Sequence, residues 1–194
     1  TGAQPATGPV LTSSIDPVTW LALGGGATAV AGSLTLNTVD SSAQSTFGLV
    51  DSGLSTQIRG FGYQLDTTPN EHAIGLTNLP TALGGEQDIQ IGIGLGSQGG
   101  KPYGITVGLA NALFVANGGN AIEVRVTGAG GAAGTVDYYV NSVLKVSVPC
   151  TIPTGTLYLD TASLAGFALL KSVYTFGNTT SVAAPVPAMP MRQV

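Results

Sequence analysis

The chain has 194 residues, of which only 8% are charged, and its formal net charge is −4. Its length suits a single domain with a sizeable core, and 43% hydrophobic residues exclude disorder throughout. The six basic residues are scattered, which excludes the basic footprint of a nucleic-acid-binding protein, and no run of about 18 apolar residues predicts a membrane span.

The N-terminal segment, residues 1–17, contains Pro5, Pro9 and Pro17 among Gly, Ser and Thr. Proline fixes φ and removes a backbone donor, so this segment is predicted to be an extended arm rather than a helix. No basic segment followed by an apolar one begins the chain, so no signal peptide is predicted. Thr1 is a small residue of the kind that follows a removed initiator Met, and we expect a near-complete chain.

Residues 18–176 are predicted to form one domain of many short β-strands, because side chains there alternate with a period of two. In residues 88–95, the hydrophobic side chains from Ile89 to Leu95 occupy one face, and glycine or glutamine occupies the other. Gly-rich turns separate the strands, and the 29 glycines are about twice the average share. The pattern predicts an all-β sandwich or barrel.

Two neighbouring strands in the second half of this domain show the alternation most clearly. In residues 121–127, Glu123 and Arg125 are predicted to point outward, between aliphatic side chains that point inward. The next strand places Tyr138 and Tyr139 on opposite faces, and Tyr139 faces away from the valine row. Which of these two rows faces the core is left open by the sequence.

The C-terminal segment, residues 177–194, contains Pro185, Pro187 and Pro190, which exclude a regular helix or a central strand. It nevertheless keeps several valines and two methionines. These apolar side chains favour an arm that docks on a neighbouring subunit, and a floppy terminus is the equally weighted alternative.

Several segments carry a resemblance to a known family: Trp20 and residues 32–36, 60–66, 136–144, 152–160 and 166–170. Together they resemble the concanavalin A-like lectin/glucanase domain found in many phage fibre, decoration and other virion proteins. The resemblance covers residues 18–176, and Ser142 stands where the family's hairpin usually has glycine. It implies a two-sheet antiparallel jelly-roll sandwich, here with extended N- and C-terminal arms.

A catalytic site is not predicted. Glucanases of this fold carry a Glu-x-Asp-x-x-Glu strand whose carboxylates act as nucleophile and acid. Glu86 and Asp88 begin such a pattern, but Ile91 stands at the third position, so one key carboxylate is missing. Cys150 is the only cysteine, which excludes an intrachain disulfide and a Cys-based zinc site, and nothing in the sequence places His72, the only histidine, near Cys150 as its catalytic base. No cofactor and no metal ligand is predicted, although a calcium site built from distant loops stays open.

Aromatic side chains are the candidate ligand contacts. Sugar binding uses an exposed aromatic ring with flanking amides and carboxylates, and Tyr139, Tyr103 and Trp20 are the candidates. Aromatic residues make up only 6% of the chain, so most of them are expected to serve the core.

The low charge, the two arms and the resemblance together predict a non-enzymatic structural protein of a virion surface. In this hypothesis the chain is a decoration, cement or fibre subunit, a homo-oligomer for which we expect a trimer, and binds other virion proteins through its arms. The alternative is a lectin-like module of a phage tail or head fibre, which binds a carbohydrate receptor such as a surface glycan. Neither hypothesis involves nucleic acid or a membrane.

Overall fold

The computed structural model describes residues 16–18, 20–24, 26–30, 33–38, 41–66, 71–79, 88–96, 102–106, 112–164, 167–177 and 179–181. These segments form β-strands joined by turns and loops, and every strand pairing among them is antiparallel. Within them, no helix is long and apolar enough to cross a membrane.

The strands form two sheets. Sheet 1 contains, in spatial order, β13 (Val143–Thr151), β12 (Ala133–Val140), β11 (Ala121–Thr127), β6 (Ile58–Gln64), β15 (Ala168–Phe176), β4 (Ser33–Leu36) and β3 (Thr28–Val30), while β1 (Asp16–Pro17) also pairs with β15. Sheet 2 contains β10 (Ala112–Leu113), β9 (Pro102–Thr106), β8 (Ile91–Leu95), β7 (His72–Thr77), β14 (Leu157–Ser163), β5 (Ser42–Leu49) and β16 (Thr179–Ser181), while β2 (Trp20–Gly24) also pairs with β5. The prediction of an all-β, two-sheet antiparallel sandwich is confirmed.

Strand pairing extends beyond residues 18–176 at both ends. Asp16 and Pro17 pair with β15, and Thr179–Ser181 pairs with β5. The inner ends of the two predicted arms are therefore part of the sheets. The remainder of each arm, residues 1–15 and 182–194, lies outside the described residues.

The hydrophobic core lies between the two sheets and consists of the side chains that point inward from each strand. On β11 and β12 the inward residues are the aliphatic ones and Tyr138, all buried. The Tyr138 hydroxyl donates to the Ile105 carbonyl at 2.9 Å, so the buried polar end of the ring is paired. This arrangement answers the question of the two rows, because it leaves Tyr139 on the outer face.

The inward row of β6 includes a charged residue. Arg59 is 0% exposed and shares its face with Phe61 and Tyr63. Its Nη1 donates to the Gly155 carbonyl at 3.2 Å, and Nε and Nη2 have no hydrogen-bond partner among the described residues. Burial lowers the pKa of the Arg59 guanidinium, and the nearby Asp51 carboxylate opposes that shift.

Sheet 2 is buried on both faces around β7 and β8. Gly75 and Gly92 lie opposite each other on its outer face, and Ile89 packs over both. The structure differs here from the expected single hydrophobic row, because the strand begins at Ile91 and a bend at residue 90 turns Ile89 to the other face. The glycines leave room on the sheet for this covering side chain.

Candidate functional site

The outer face of sheet 1 carries a groove across β6, β11 and β12. Its volume is about 460 Å³. We call it the Tyr139 groove, and the described residues that line it are Ser55, Thr56, Ile58, Arg125, Thr127, Thr135, Asp137 and Tyr139. Most of these side chains are hydroxyl-bearing or charged, and Tyr139 contributes the aromatic ring.

The strand register brings the groove residues together. Arg125 on β11 lies directly opposite Asp137 on β12, and Thr127 lies opposite Thr135. Alternate residues of a strand point to the same face, so these pairs stand side by side outside the core. A register shift between Tyr138 and Tyr139 then places Leu144 of β13 across from Tyr139.

A chain of contacts fixes the aromatic side of the groove. The Arg125 guanidinium carbon lies 4.3 Å from the centroid of the Tyr139 ring, which is a cation–π contact. Arg125 Nε also pairs with the Glu123 carboxylate, and Tyr174 donates its hydroxyl to Glu123 Oε2 at 2.8 Å. Arg125, Glu123 and Tyr174 are thereby held in place before any ligand arrives, and Arg125 in turn orients the Tyr139 ring.

The electrostatics of this chain keep Tyr174 protonated. Burial raises the pKa of the Tyr174 phenol, and the hydrogen bond to the Glu123 carboxylate raises it further because a phenolate would lose that bond. Tyr174 is therefore a donor to Glu123 and not a nucleophile.

Among the described residues that line the groove, Asp137 supplies the carboxylate. Ser147 of β13 donates its hydroxyl to Asp137 Oδ1. The side chain is half-buried, and its partners leave acceptor capacity on the carboxylate. It is therefore able to accept hydrogen bonds from a hydroxyl-bearing ligand.

The three aromatic residues expected from the sequence do not form one cluster. Tyr139 lies on sheet 1, whereas Trp20 and Tyr103 lie on β2 and β9 of sheet 2. Tyr103 is only 4% exposed, and its ring covers Gly94. Trp20 is half-buried against the core, and its buried Nε1 has no hydrogen-bond partner in the part of the chain that the structure describes. Tyr139 lines the groove described above.

The other residues that the sequence analysis considered for catalysis or metal binding are His72, Cys150 and Glu86. His72 is buried, its Nε2 lies 3.2 Å from the Tyr63 hydroxyl oxygen, and the two rings meet edge-on at 5.7 Å. Cys150 is half-buried against the core, and burial raises the pKa of its thiol. Glu86 lies outside the described residues. In the described part of the chain, no three His, Cys, Asp or Glu side chains converge as a metal site would require.

The sequence analysis did not identify Asp137, Thr127 or Thr135 as groove residues. The available signal was the β11–β12 hairpin, because pairing its strands places Asp137 opposite the outward Arg125. The loop residues Ser55 and Thr56 gave no such signal.

Comparison with solved structures identifies the fold. The carbohydrate-binding module CBM66 from Bacillus subtilis is 11% identical, with a TM-score of 0.50, and the match covers 83% of this chain and 97% of that one. The exoplasmic/lumenal domain of VIP36, in a form bound to Ca²⁺ and Man3GlcNAc, is 11% identical, with a TM-score of 0.53 and coverages of 93% and 92%. A Bacillus licheniformis beta-glucanase is 11% identical, with a TM-score of 0.53 and coverages of 86% and 98%.

These similarities show the concanavalin A-like jelly-roll fold, as the sequence resemblance predicted. The fold is shared by lectins, carbohydrate-binding modules and glucanases, so it does not decide between binding and catalysis. No protein-family model matches the sequence, and no curated protein matches it.

Proposed function

We propose that this chain is a non-enzymatic, lectin-like module that binds a carbohydrate in the Tyr139 groove. The observation that carries the proposal is the juxtaposition, on the outer face of sheet 1, of an oriented aromatic ring, a carboxylate and several hydroxyls. The apolar C–H face of a sugar packs on an aromatic ring, while its hydroxyls require hydrogen-bond partners at fixed positions.

The fold comparisons support the same function by analogy. CBM66 is a carbohydrate-binding module by its description, VIP36 was solved with a mannose-containing glycan, and Emp47p contributes a carbohydrate recognition domain of the same fold. An analogy of fold raises the expectation of sugar binding, and the groove residues of this chain supply the specific argument.

The carboxylates favour binding over hydrolysis. Glycoside hydrolysis requires two carboxyl groups that flank the scissile bond. Glu123 is committed to Arg125 and Tyr174, and Asp137 is the carboxylate that lines the groove. Among the described residues, the groove thus offers a single available carboxylate, which can accept hydrogen bonds from sugar hydroxyls but cannot supply both roles of the hydrolytic reaction.

Glycan-array screening followed by calorimetry tests the proposal. We expect Tyr139→Ala to weaken binding of the best array ligand at least tenfold, because the ring that packs on the sugar is lost. Tyr139→Phe keeps the ring and should retain most of the affinity. Asp137→Asn should weaken binding by several-fold, because a charged acceptor is replaced by a neutral one.

A half-buried tyrosine on the other sheet provides the matched control. Tyr158 lies on β14, and Tyr158→Ala should leave glycan affinity unchanged. Absence of binding across the array, or equal affinities for the wild type and Tyr139→Ala, would contradict the proposal. Release of reducing ends from a bound glycan, abolished by Asp137→Asn, would show that the module is an enzyme.

A further inference from the structure

Strand β13 leaves one edge of sheet 1 unpaired. It has nine residues, and among the described residues it pairs with β12 alone. The strands at the other ends of the two sheets, β3, β10 and β16, have two or three described residues each. A long unpaired edge presents backbone donors and acceptors to which another strand can add. Strand addition to this fold is therefore expected at β13.

The pairing with β12 determines which backbone groups of β13 point away from the sheet. The Ile152 N–H donates to the Ala132 carbonyl at 2.9 Å, one residue beyond the end of β13. In an antiparallel pair, residues that bond to the partner strand alternate with residues whose N–H and C=O point to the other side. Counting back from Ile152, the residues whose backbone points outward are Ser147, Pro149 and Thr151. Proline fits the middle position, because no N–H is needed there to bond with β12.

The inward side chains of β13 are incompletely covered. Val146, Val148 and Cys150 pack against the core but are only half-buried, and no described strand lies beyond them. A cleft of about 760 Å³ opens beside this row, and its lining includes Cys150 and Ile152. We call it the Cys150 cleft, and none of the described residues that line it is charged. A strand added to β13 would bury this row if its own inward side chains were apolar.

The C-terminal segment has the sequence of a strand that can pair along one edge only. Between residues 182 and 188, every even-numbered residue has an N–H, whereas Pro185 and Pro187 occupy odd-numbered positions. In an extended chain, alternate residues direct their backbone groups to the same side. One side of this segment therefore presents an unbroken set of donors. The other side lacks two donors, so a further strand would not add there.

This segment is too short to reach β13 of its own chain. β16 ends at Ser181 and is the fifth strand from β9, in the order β9, β8, β7, β14, β5 and β16. The hydroxyl oxygens of Tyr138 on β12 and Thr106 on β9 lie 3.0 Å apart, so β12 and β13 stand on the β9 side of the sandwich. Five strand spacings amount to roughly 24 Å. Five extended residues, from Ser181 to Val186, span at most about 18 Å.

We propose that residues 182–188 of one copy of this chain add to the outer edge of β13 in a neighbouring copy, as an additional antiparallel strand. Val186 lies opposite Pro149 in this pairing, and its N–H donates to the Pro149 carbonyl. The residues two positions to either side of Val186 then pair with Ser147 and Thr151. The partner is therefore a second copy of this chain, and the contact is made by its C-terminal arm.

The same pairing places the prolines of the arm over the Cys150 cleft. Ser147 donates to Asp137 on the outer face of sheet 1, and residues directly opposite each other share a face. The even-numbered side chains of the arm therefore point outward, and Pro185 and Pro187 point inward beside the row that contains Cys150. The added strand lies beyond β13 and leaves the Tyr139 groove open, so the inference holds whether or not that groove binds a sugar.

Light scattering of the full chain and of two single-proline variants tests this proposal. Ala184→Pro removes an N–H on the pairing side of the arm, whereas Ala183→Pro removes one on the free side. Both positions follow β16, so both variants should keep the circular dichroism spectrum of the wild type. We expect Ala184→Pro to raise the dissociation constant of the assembly at least about tenfold, because the Thr151 carbonyl loses its donor. Ala183→Pro should leave the dissociation constant unchanged.

The reaction of Cys150 with N-ethylmaleimide reports where the arm binds. The thiol should react several-fold more slowly in the wild-type assembly than in Ala184→Pro at the same concentration, because the arm covers the Cys150 cleft. Removal of residues 182–194 should give a monomer that reacts at the faster rate. A monomeric wild type, an assembly that persists without residues 182–194, or equal dissociation constants for the two proline variants would overturn the inference.

Discussion

The outer faces of sheet 1 and sheet 2 differ in what stands at the outward positions. Around β11 and β12, sheet 1 places charged, hydroxyl and aromatic side chains outward, and a groove forms among them. Around β7 and β8, sheet 2 places glycines outward, and Ile89 and Tyr103 cover them. The same period-two pattern thus gives a grooved face around β11 and β12 and a covered face around β7 and β8, where the outward residues are glycines.

The carboxylates on the two outer faces also differ in how deeply they are buried. Asp137 on sheet 1 is half-buried beside a donor, whereas Asp160 on β14 is 0% exposed. Asp160 lies opposite Gly75, and its Oδ1 accepts from the Thr161 N–H at 2.8 Å. No described residue supplies a hydrogen-bond partner for its Oδ2. Burial raises the pKa of Asp160 to about 7, and the nearby Asp88 adds to the shift.

The largest effect is expected from Asp160→Asn. A folded-state pKa above the unfolded value means that the folded chain holds a proton which the unfolded chain has released, so stability falls as pH rises from about 4 to about 7. A shift of this size corresponds to at most about 4 kcal/mol. Asp160→Asn should therefore be more stable than the wild type at pH 8 and should lose the decline between pH 4 and pH 7. Urea unfolding at pH 4, 6 and 8 measures both.

Asp51 supplies a control of opposite sign. Its carboxylate accepts from the Gly53 N–H at 2.9 Å and the Gly130 N–H at 2.8 Å, and these bonds lower the pKa of Asp51. Asp51→Asn should destabilise the protein at pH 7, with the difference disappearing as pH falls through the folded pKa. The Asp160 prediction would be contradicted if the unfolding free energies of Asp160→Asn and the wild type changed in parallel with pH. Asp160 would then ionise in the folded protein without a loss of stability.

A pair of glycine substitutions compares the two faces directly. A Cβ at Gly92 would stand 2.7 Å from the Gly75 Cα and would press on the Ile74 carbonyl oxygen, and backbone cannot move aside easily. A Cβ at Gly62 on sheet 1 would meet the tip of the Tyr174 ring, which can rotate away. We expect Gly92→Ala to cost about 3 kcal/mol and Gly62→Ala about 1 kcal/mol, mainly the lost bond to Glu123.

Urea denaturation midpoints at constant slope give the two losses. Equal losses, or a larger loss at Gly62, would mean that the outer face of sheet 2 is no more tightly covered than that of sheet 1.

Much of the fold follows from the sequence, because alternation is a local property. Alternation placed Arg125 outward and separated Tyr138 from Tyr139, and the structure agrees. It could not show that Tyr103 is covered, since the small residue beneath its ring, Gly94, becomes its neighbour only through the pairing of β8 with β9. Alternation also could not show that Arg59, which shares a face with Phe61, is buried. The hydrogen-bond partner of its guanidinium is the Gly155 carbonyl, in a loop far away in sequence.

For the same reason, the candidate site could be predicted from the sequence only in part. Tyr139 came from the local pattern, and the same alternation along β12 places Thr135 and Asp137 on its face. The other groove residues come from β6, β11 and the loop before β6. The virion-surface location, the trimer and the docking of the arms remain predictions from the sequence.

The smallest effect on stability is expected at the turn between β12 and β13, which follows Tyr139 closely in sequence. Asn141 and Ser142 both have positive φ, at 48° and 64°, as in a type I′ turn. Serine at the second position is strained, so Ser142→Gly should stabilise the protein by about 1 kcal/mol. The Tyr139–Arg125 contact does not involve Ser142, so glycan affinity should not change. Thermal unfolding and calorimetry measure the two quantities.

Asn141→Gly is the matched control, because it relieves φ at the neighbouring position but removes a hydrogen bond. The Asn141 side chain accepts from the Ala121 N–H at 2.9 Å, which ties the turn to β11. Asparagine tolerates a left-handed φ well, so little strain is relieved, and the variant should lose about 1 kcal/mol. Opposite signs for the two variants would show that the turn prefers Asn followed by Gly. A stabilising Asn141→Gly, or a neutral Ser142→Gly, would mean that strain at this hairpin is shared differently between its two residues.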